Sequence, residues 1–208
     1  MRAVIRRSPM ARLATTAGAV FVEEGGWEIP ASFGDDEAER EAIRSAVSLS
    51  DITARAKVDV RGIVAAVLPA AAGAVIARIA EDWALVLGAP GEETRLLPAL
   101  EAAAGSTAMV TDATHLHAGF ALAGPSVLNV FERVTAWDPT TLRPGDAAGA
   151  RIVEIPAVVL RRDLPLALFE VYVPSEFGRY AWETLAGVVA DLGGGAVGWQ
   201  VLRSEGWS

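Results

Sequence analysis

The feature that most constrains the fold is an internal repeat, because two stretches of the chain pass through the same motifs in the same order. The tetrapeptide Ser50–Thr53 (SDIT) matches Thr111–Thr114 (TDAT). The alternating, glycine-ended hexapeptide Lys57–Gly62 (KVDVRG) matches Gly119–Gly124 (GFALAG), with one residue inserted ahead of the second copy. Such self-similarity indicates one structural unit used twice.

Each copy of the repeat has the element order β-α-β-β-α. In the first copy, apolar periodicity predicts these elements at residues 57–60, 63–72, 75–79, 83–87 and 92–103. The last helix of each copy begins with a similarly spaced charged pair: Glu92 and Arg95, then Glu176 and Arg179. A further helix is predicted ahead of the repeat at 35–47, and a closing strand near 196–202.

Two such units predict an α+β fold of duplicated ferredoxin-like halves, packed about a pseudo-twofold axis with antiparallel sheets covered by helices. The 208 residues are expected to form one domain, 1–208, with repeat halves at roughly 48–104 and 107–203. The irregular stretch 137–151 is expected to be an ordered loop inside the second half. A linker there would leave each half too small to be stable alone.

Composition narrows the class of protein. Apolar residues make up 52% of the chain and charged residues 21%, which is typical of a packed globular protein. A net charge of −8 disfavours nucleic acid as a partner. The richest apolar run, 63–79, is broken by Pro69, Gly73 and Arg78, so no membrane span is expected. Residues 1–12 show no apolar core of signal-peptide length, so a cytoplasmic protein is expected.

Few residue patterns suggest catalysis. His115 and His117 could place two rings on one strand face, yet no further ligand lies at recognisable spacing, so we expect no metal site. Cysteine is absent, and Lys57 is the only lysine, hence the one candidate for Schiff-base chemistry. The glycine-rich stretches 88–91 and 193–195 lack the following residues of a phosphate loop and are predicted to be turns.

The paired aspartates of the repeat, Asp51 and Asp112, allow two interpretations. They could be catalytic carboxylates on symmetry-related turns. Their Ser/Thr-Asp-x-Thr context favours side chains that accept backbone N–H groups in Asx turns at the start of each copy. The six tryptophans are predicted to lie mostly in the core or at interfaces, although one could form a platform for a heterocycle.

Taken in order, several segments resemble the aminomethyltransferase (T-protein) family of the glycine cleavage system. They span nearly the whole chain, at residues 18–30, 41–51, 81–87, 121–125, 169–174 and 202–206. The resemblance implies a folate-binding fold of duplicated ferredoxin-like halves, in agreement with the repeat. T-proteins continue into a further barrel domain, which the resemblance does not find in this sequence.

The C-terminal half also looks like a second family, the gamma subunit of heterotetrameric sarcosine oxidase. The similar segments are 137–145, 150–160 and 169–182. That subunit has a similar length and also lacks the barrel domain. This resemblance implies flavoprotein subunits of an amine oxidase or dehydrogenase complex as partners.

Departures from the T-protein pattern concern the site itself. The stretch that supplies the family's chemical carboxylate corresponds to 69–80, which contains no acid. Glu170 matches the glutamate that hydrogen-bonds the pterin ring, but the arginine that usually helps it falls on Trp199. The Tyr-Thr-Gly segment of the family is replaced by 162–165 (RDLP). Loss of the acid removes a large part of the electrostatic stabilisation that catalysis needs.

The sequence therefore supports two principal hypotheses. The first is a non-catalytic module, without catalytic residues, that serves as a subunit of a one-carbon, amine-oxidising enzyme system. The alternative is a tetrahydrofolate-binding, aminomethyltransferase-like protein, with Glu170 and Trp199 at the pterin, Arg203 near the glutamyl tail, and Asp51 or Asp112 as the acid. A folate-independent repair or scaffold protein of the same fold is a third reading.

Overall fold

The computed structural model describes residues 4–208, and its N-terminal part forms a small sheet with two helices. The elements are β1 (Arg6–Arg7), α1 (Ala11–Thr16), β2 (Val20–Glu24), β3 (Trp27–Ser32) and α2 (Asp36–Ser45). The strand order is β1-β3-β2. The helix predicted at 35–47 is confirmed as α2, which Asp35 caps by accepting the N–H groups of Glu37 and Ala38.

A four-stranded antiparallel sheet follows, with strand order β6-β7-β5-β8. This part of the chain contains β4 (Ser48–Asp51), β5 (Ala56–Gly62), α3 (Val64–Val67), β6 (Val75–Ala80), β7 (Trp83–Gly88), α4 (Glu93–Ala104) and β8 (Ala108–Asp112). The three predicted strands and the second helix are confirmed. The helix predicted at 63–72 is shorter, because a 3-10 turn at Leu68–Ala70, with Pro69 near its start, ends it early.

A six-stranded sheet, of order β10-β11-β12-β9-β4-β13, completes the chain. Its part of the sequence contains β9 (His117–Ala123), α5 (Val127–Val134), β10 (Ala147–Ile152), β11 (Ile155–Arg161), β12 (Leu168–Pro174), α6 (Gly178–Asp191), β13 (Gly195–Ala196) and α7 (Trp199–Ser204). The closing strand predicted near 196–202 is wrong beyond Ala196. Trp199 and Leu202 are both buried at helical spacing, and the segment is helix α7.

The opening strand of each repeat copy pairs in the sheet of the other copy. Strand β4 pairs with β9, and β8 pairs with β5. Asp51 lies opposite Phe120, and the equivalent Asp112 lies opposite Val58, which is the repeat equivalent of Phe120. The repeat seen in the sequence therefore matches the backbone pairing residue for residue, and each connection after these aspartates crosses from one sheet to the other.

The core has three layers of apolar side chains. One lies between the six-stranded sheet and helices α5 and α6, and another between the four-stranded sheet and helices α3 and α4. The third lies between the two sheets, where Leu85 and Leu87 of β7 face Tyr172 of β12 and the indoles of Trp199 and Trp207. Among residues 4–208, no helix has the length and apolar character needed to cross a membrane.

Candidate functional site

The carboxylate of Glu170 is fully buried in the layer between the two sheets and accepts hydrogen bonds from four side chains. On Oε1 the donors are Arg55 Nη1 at 2.8 Å, Trp207 Nε1 at 2.7 Å and Arg162 Nη1. On Oε2 the donor is the hydroxyl of Tyr172, which lies two residues along β12 and so on the same face. We call these five residues the Glu170 cluster.

Electrostatics keep this buried carboxylate ionised. Burial on its own would raise the pKa of Glu170, but the guanidinium groups of Arg55 and Arg162 outweigh it and hold that pKa below its ordinary value. Burial, followed by the negative charge of Glu170, raises the pKa of the Tyr172 hydroxyl well above its ordinary value. Tyr172 therefore remains a hydrogen-bond donor to Glu170 over the physiological pH range.

Both arginines of the cluster come from connections outside the strands. Arg55 lies in the crossover between β4 and β5 and is 3% exposed, with its Nε donating to the Gly88 carbonyl at 3.4 Å. Arg162 directly follows β11, and its Nη1 and Nη2 each donate to the Ser208 carbonyl oxygen at 3.1 Å. No spacing pattern in the sequence indicates Arg55, which lies 115 residues from Glu170.

Trp207 links the predicted site residues to one another. Its indole, 3% exposed, meets the ring of Trp199 edge to face, with centroids 4.9 Å apart. Trp199 donates its Nε1 proton to the Asp51 carbonyl at 2.6 Å. The Arg203 guanidinium lies 4.8 Å from the Trp199 ring centroid and binds both carboxylate oxygens of Glu24 at 2.7 Å.

Trp207, a residue that the sequence comparison did not single out, thus contacts both Glu170 and Trp199, while Arg203 packs on Trp199. Trp199 and Arg203 line a cavity of about 310 Å³, which we call the Arg55 cavity. Its walls are Arg55, Ala89, Pro90, Trp199, Arg203, Trp207 and Ser208. Glu170 itself does not line the cavity, but two of its hydrogen-bond donors, Arg55 and Trp207, do.

The repeat aspartates form turns, as predicted. Asp51 Oδ1 accepts the Thr53 N–H at 3.0 Å, and Asp112 Oδ1 accepts the Thr114 N–H at 2.9 Å. These turns place the two threonine hydroxyls so that each binds the other copy of the repeat. Thr53 Oγ1 accepts the Gly119 N–H and Thr114 Oγ1 accepts the Lys57 N–H, both at 3.1 Å.

Asp51 has one further property that the turn does not explain. Its side chain is buried, and burial raises its pKa. Within residues 4–208, no hydrogen-bond donor reaches its Oδ2. Neither Asp51 nor Asp112 lines the Arg55 cavity, so neither carboxylate faces the space beside Trp199 and Arg203.

Lys57, the Schiff-base candidate, is fully buried. Its ammonium group donates to the carbonyls of Thr53 at 2.7 Å and Arg55 at 2.8 Å. Burial, reinforced by the positive charge of Arg55, lowers the pKa of Lys57 to about 7. The amine is thus easily neutralised, but a substrate carbonyl cannot reach it in this conformation.

The two histidines lie in different surroundings. His115 stacks on Trp27 with ring centroids 5.2 Å apart, while His117 begins β9 and is partly buried. Burial lowers the pKa of His117. Across the described residues 4–208, no group of three histidine, aspartate or glutamate side chains is arranged to hold a metal ion.

Comparison with known proteins finds similar aminomethyltransferases in both sequence and structure. An aminomethyltransferase of Geobacillus kaustophilus is 26% identical over 212 residues, which cover 88% of this chain and 58% of that protein. The glycine cleavage aminomethyltransferase T of Bartonella henselae superposes on 97% of this chain, with a TM-score of 0.82 and 20% identity. The chain thus resembles aminomethyltransferases in sequence and shares its fold with a glycine cleavage T-protein. The resemblance noted in the sequence is thereby confirmed.

A second solved structure extends the comparison. A chain of the heterotetrameric sarcosine oxidase from Corynebacterium sp. U-96 superposes with a TM-score of 0.67 and 19% identity, over 90% of this chain and 96% of that one. The chain spans about three fifths of the length of the aminomethyltransferases that it matches over most of its own length. No protein-family model matches the sequence.

Proposed function

We propose that this chain is a non-catalytic T-protein-like module, a pseudoenzyme that acts as a subunit of a one-carbon, amine-oxidising enzyme system. The observation that carries the proposal is the state of Glu170. The resemblance to T-proteins assigns this carboxylate to a pterin ring, yet here both of its oxygens accept hydrogen bonds from the chain itself. A ligand would have to displace Trp207 or an arginine to reach it.

Displacement of those donors would be costly. Hydrogen bonds to a charged, buried group each contribute about 1.5–3 kcal/mol, and an uncompensated buried charge costs more. A pterin that took over one acceptor position would regain only part of this energy, because Arg55 and Arg162 would still need their partner. The cluster therefore favours a structural role for Glu170 over ligand binding.

The absence of a chemical acid also supports a silent module. Residues 69–80, which correspond to the acid-bearing stretch of T-proteins, form a 3-10 turn and strand β6 without aspartate or glutamate. Asp51 and Asp112 are used in turns. Neither borders the Arg55 cavity, so the described site offers no carboxylate for proton transfer.

The subunit role is supported by the second structural comparison. This chain and one chain of a heterotetrameric oxidase share a fold over nearly the full length of that oxidase chain. We propose that flavoprotein subunits of an amine oxidase or dehydrogenase are the partners, in the cytoplasm, and that the module stabilises their assembly.

We also propose that the architecture is a single domain, 1–208, built from duplicated ferredoxin-like halves at roughly 48–104 and 107–203. The strand orders support this. In β6-β7-β5-β8, strand β5 lies between β7 and β8, and in β11-β12-β9-β4 the equivalent strand β9 lies between β12 and β4. Both are the strand order of a ferredoxin-like unit. Each half lends its opening strand to the sheet of the other half, which ties the two together.

Two measurements test the functional proposal. Purification from the native source under mild conditions should recover the chain together with flavin-containing subunits, identified by mass spectrometry. A solitary monomer would contradict the proposal. Calorimetric titration with tetrahydrofolate should show no binding at high micromolar concentration. Binding that Glu170→Gln abolishes would instead support the alternative, a tetrahydrofolate-binding aminomethyltransferase-like protein.

A further inference from the structure

A second cavity lies at the opposite end of the layer between the two sheets, and none of the roles above uses it. It has a volume of about 530 Å³, and we call it the Arg61 cavity. Its walls include Arg61 and Trp83 of the four-stranded sheet and Arg151, Pro156 and Pro174 of the six-stranded sheet. We propose that it binds a phosphate monoester that carries a small apolar group. This inference goes beyond the silent module, because it uses no polar group of the Glu170 cluster and no partner subunit.

The Arg61 cavity is separate from the Arg55 cavity. Strand β5 connects them, since Arg55 directly precedes this strand and Arg61 lies near its end. The six residues between these positions span about 20 Å of extended chain. Tyr172 forms part of the inner wall of the Arg61 cavity, but its hydroxyl is donated to Glu170. The two cavities therefore share no free polar group.

Alternation along facing strands brings two guanidinium groups to the Arg61 cavity. On β5, Val60 packs toward helices α3 and α4, so Arg61 projects from the other face, into the layer between the sheets. On β10, Ala150 packs on the helix side of its sheet, so Arg151 also projects into that layer. Both side chains are exposed, at 45% and 64%. Two cations from opposite sheets thus lie at the mouth of one cavity.

Asp59 fixes the orientation of Arg61. Its Oδ1 accepts the Trp83 Nε1 proton at 2.7 Å, and its Oδ2 accepts the Arg61 Nε proton at 2.9 Å. The guanidinium lies 3.8 Å from the centroid of the Trp83 ring. Its Nη1 and Nη2 make no hydrogen bond to any of residues 4–208. Because Asp59 occupies only the Nε side, the terminal fork is free and preorganised for two oxygens of one oxyanion.

The second cation favours a phosphate over a carboxylate. The fork of Arg61 would satisfy both oxygens of a carboxylate, whereas a phosphate monoester has a further terminal oxygen that Arg151 can bind. Arg151 uses Nη2 for the Glu154 carbonyl and makes no hydrogen bond through Nη1 to the described part of the chain. The Glu154 carboxylate is 3.7 Å away and 92% exposed, so this ion pair competes only weakly with a ligand.

The rest of the cavity is mostly apolar. Pro156 and Pro174 line its outer part, and the buried Ala157 and Val158 line its inner part. His117 also lies on the wall, but burial lowers its pKa, so its ring is neutral at physiological pH. The volume falls within the range of small-molecule pockets. A group on the ester oxygen that covers these walls would gain from the burial of apolar surface.

Phenyl phosphate is the probe, compared with inorganic phosphate, benzoate and neutral benzyl alcohol. Calorimetry should show each of these three to bind about tenfold weaker or more, because they lack the apolar group, the third terminal oxygen and the charge, respectively. The indole N–H resonance of Trp83 should shift, whereas those of Trp199 and Trp207, at the Arg55 cavity, should not. Equal affinity for phenyl phosphate and any of the three, or an unshifted Trp83 resonance, would overturn the proposal.

Two substitutions test the geometry of the cavity. Arg61→Lys keeps the charge but removes the fork, so it should weaken phenyl phosphate binding about tenfold or more. Gly149→Leu keeps every charge and fills the space: Gly149 lies opposite Val158 in the sheet, and a Cβ there would meet only Ile79 Cγ2, at 3.9 Å. This variant should fold and bind no phenyl phosphate. Wild-type affinity in either variant would contradict the site.

The charges at the mouth provide a matched pair of controls. Glu154→Gln removes the acid beside Arg151 and should strengthen binding about twofold. Arg133→Gln, which breaks the exposed Arg133–Asp191 pair elsewhere, should leave the affinity unchanged. Weakening in both would show that phenyl phosphate responds to net charge alone, against the proposal. Copurification with flavoproteins and titration with tetrahydrofolate do not involve this cavity, so the two proposals fail separately.

Discussion

The indole nitrogen of Trp207 donates a hydrogen bond to Oε1 of Glu170 across 2.7 Å, at a point where both residues are buried. A bicyclic ring with an N–H donor thus already lies against the carboxylate that the T-protein resemblance assigns to a bicyclic ligand. The chain supplies from its own sequence the contact that a heterocycle would make. Together with Arg55 and Arg162, this contact explains how the fold keeps a charged residue in its centre.

We predict that Trp207→Phe destabilises the protein by about 1.5–3 kcal/mol, because phenylalanine keeps an aromatic ring but removes a hydrogen bond to a charged acceptor. Urea denaturation measures the change in unfolding free energy. Trp83→Phe is the matched control: its Nε1 also donates to a carboxylate, Asp59 Oδ1 at 2.7 Å, but in a half-buried position. Equal losses in the two variants would argue against a special role for the Trp207 contact.

For Glu170→Gln we predict a larger loss, about 3–5 kcal/mol, since the buried guanidiniums of Arg55 and Arg162 lose their common counter-charge. The folded-state pKa of Glu170 is depressed, so its contribution is complete above the ordinary value of 4.5 and disappears as pH falls through the folded value. The stability difference between wild type and variant should therefore shrink in acid. A difference that stays constant down to acid denaturation would refute this account.

Sequence and structure agree best where a contact is local or repeated. The Asx turns at Asp51 and Asp112 could be predicted because each depends on residues two positions apart. The contacts of Arg55 and Trp207 with Glu170 could not, because Arg55 lies 115 residues before Glu170 and Trp207 lies 37 residues after it, and neither separation is a recognisable spacing. The first half was predicted to begin at residue 48 from sequence order alone, and that order does not show that residues 48–51 form strand β4, which pairs with β9 in the sheet of the other half.

The repeat itself makes a quantitative prediction. Thr53→Val and Thr114→Val each remove a hydroxyl that accepts a buried backbone N–H at 3.1 Å, with little change in shape. Each should cost about 1–3 kcal/mol, because a buried donor is left unpaired. If the halves are true duplicates, the two losses measured by urea denaturation should agree within about 0.5 kcal/mol. A clear loss in one variant only would count against equivalent roles.

Lys57 should give the protein an unusual pH dependence. Its pKa is about 7 in the folded state and 10.5 ordinarily, so between these values the unfolded chain binds a proton that the folded chain has released. Stability contributed by this group therefore rises with pH in that window, by up to about 1.4 kcal/mol per pH unit. Lys57→Met lacks the titrating amine, which makes it the reference.

Denaturation curves of wild type and Lys57→Met should accordingly diverge from pH 7 to pH 10, with wild type gaining stability relative to the variant. The charges around the amine, those of Arg55, Asp51, Glu93 and Asp112, are present in both proteins. Parallel curves over this range would show that the buried amine keeps its proton in the folded state.

The position of Trp199 and Trp207 depends on a glycine that starts helix α7. A Cβ atom at Gly198 would lie 2.2 Å from the Ala31 carbonyl oxygen of β3, although the backbone angles there suit any residue. Gly198→Ala must therefore push α7 off β3, at a cost of about 1–3 kcal/mol. Because Trp199 is the first residue of α7 and Trp207 lies just beyond the end of that helix, both indoles should move, and tryptophan fluorescence should shift to the red.

Gly187→Ala is the control for that substitution. Gly187 lies inside helix α6 with no neighbouring atom within 4 Å of an added Cβ, so alanine should stabilise the protein by about 0.5–1 kcal/mol and leave the emission spectrum unchanged. If Gly198→Ala lowers the free energy of unfolding and Gly187→Ala raises it, the close approach of α7 to β3 holds the indoles in place. A Gly198→Ala variant with native stability and a native spectrum would mean that the cluster is positioned by other contacts.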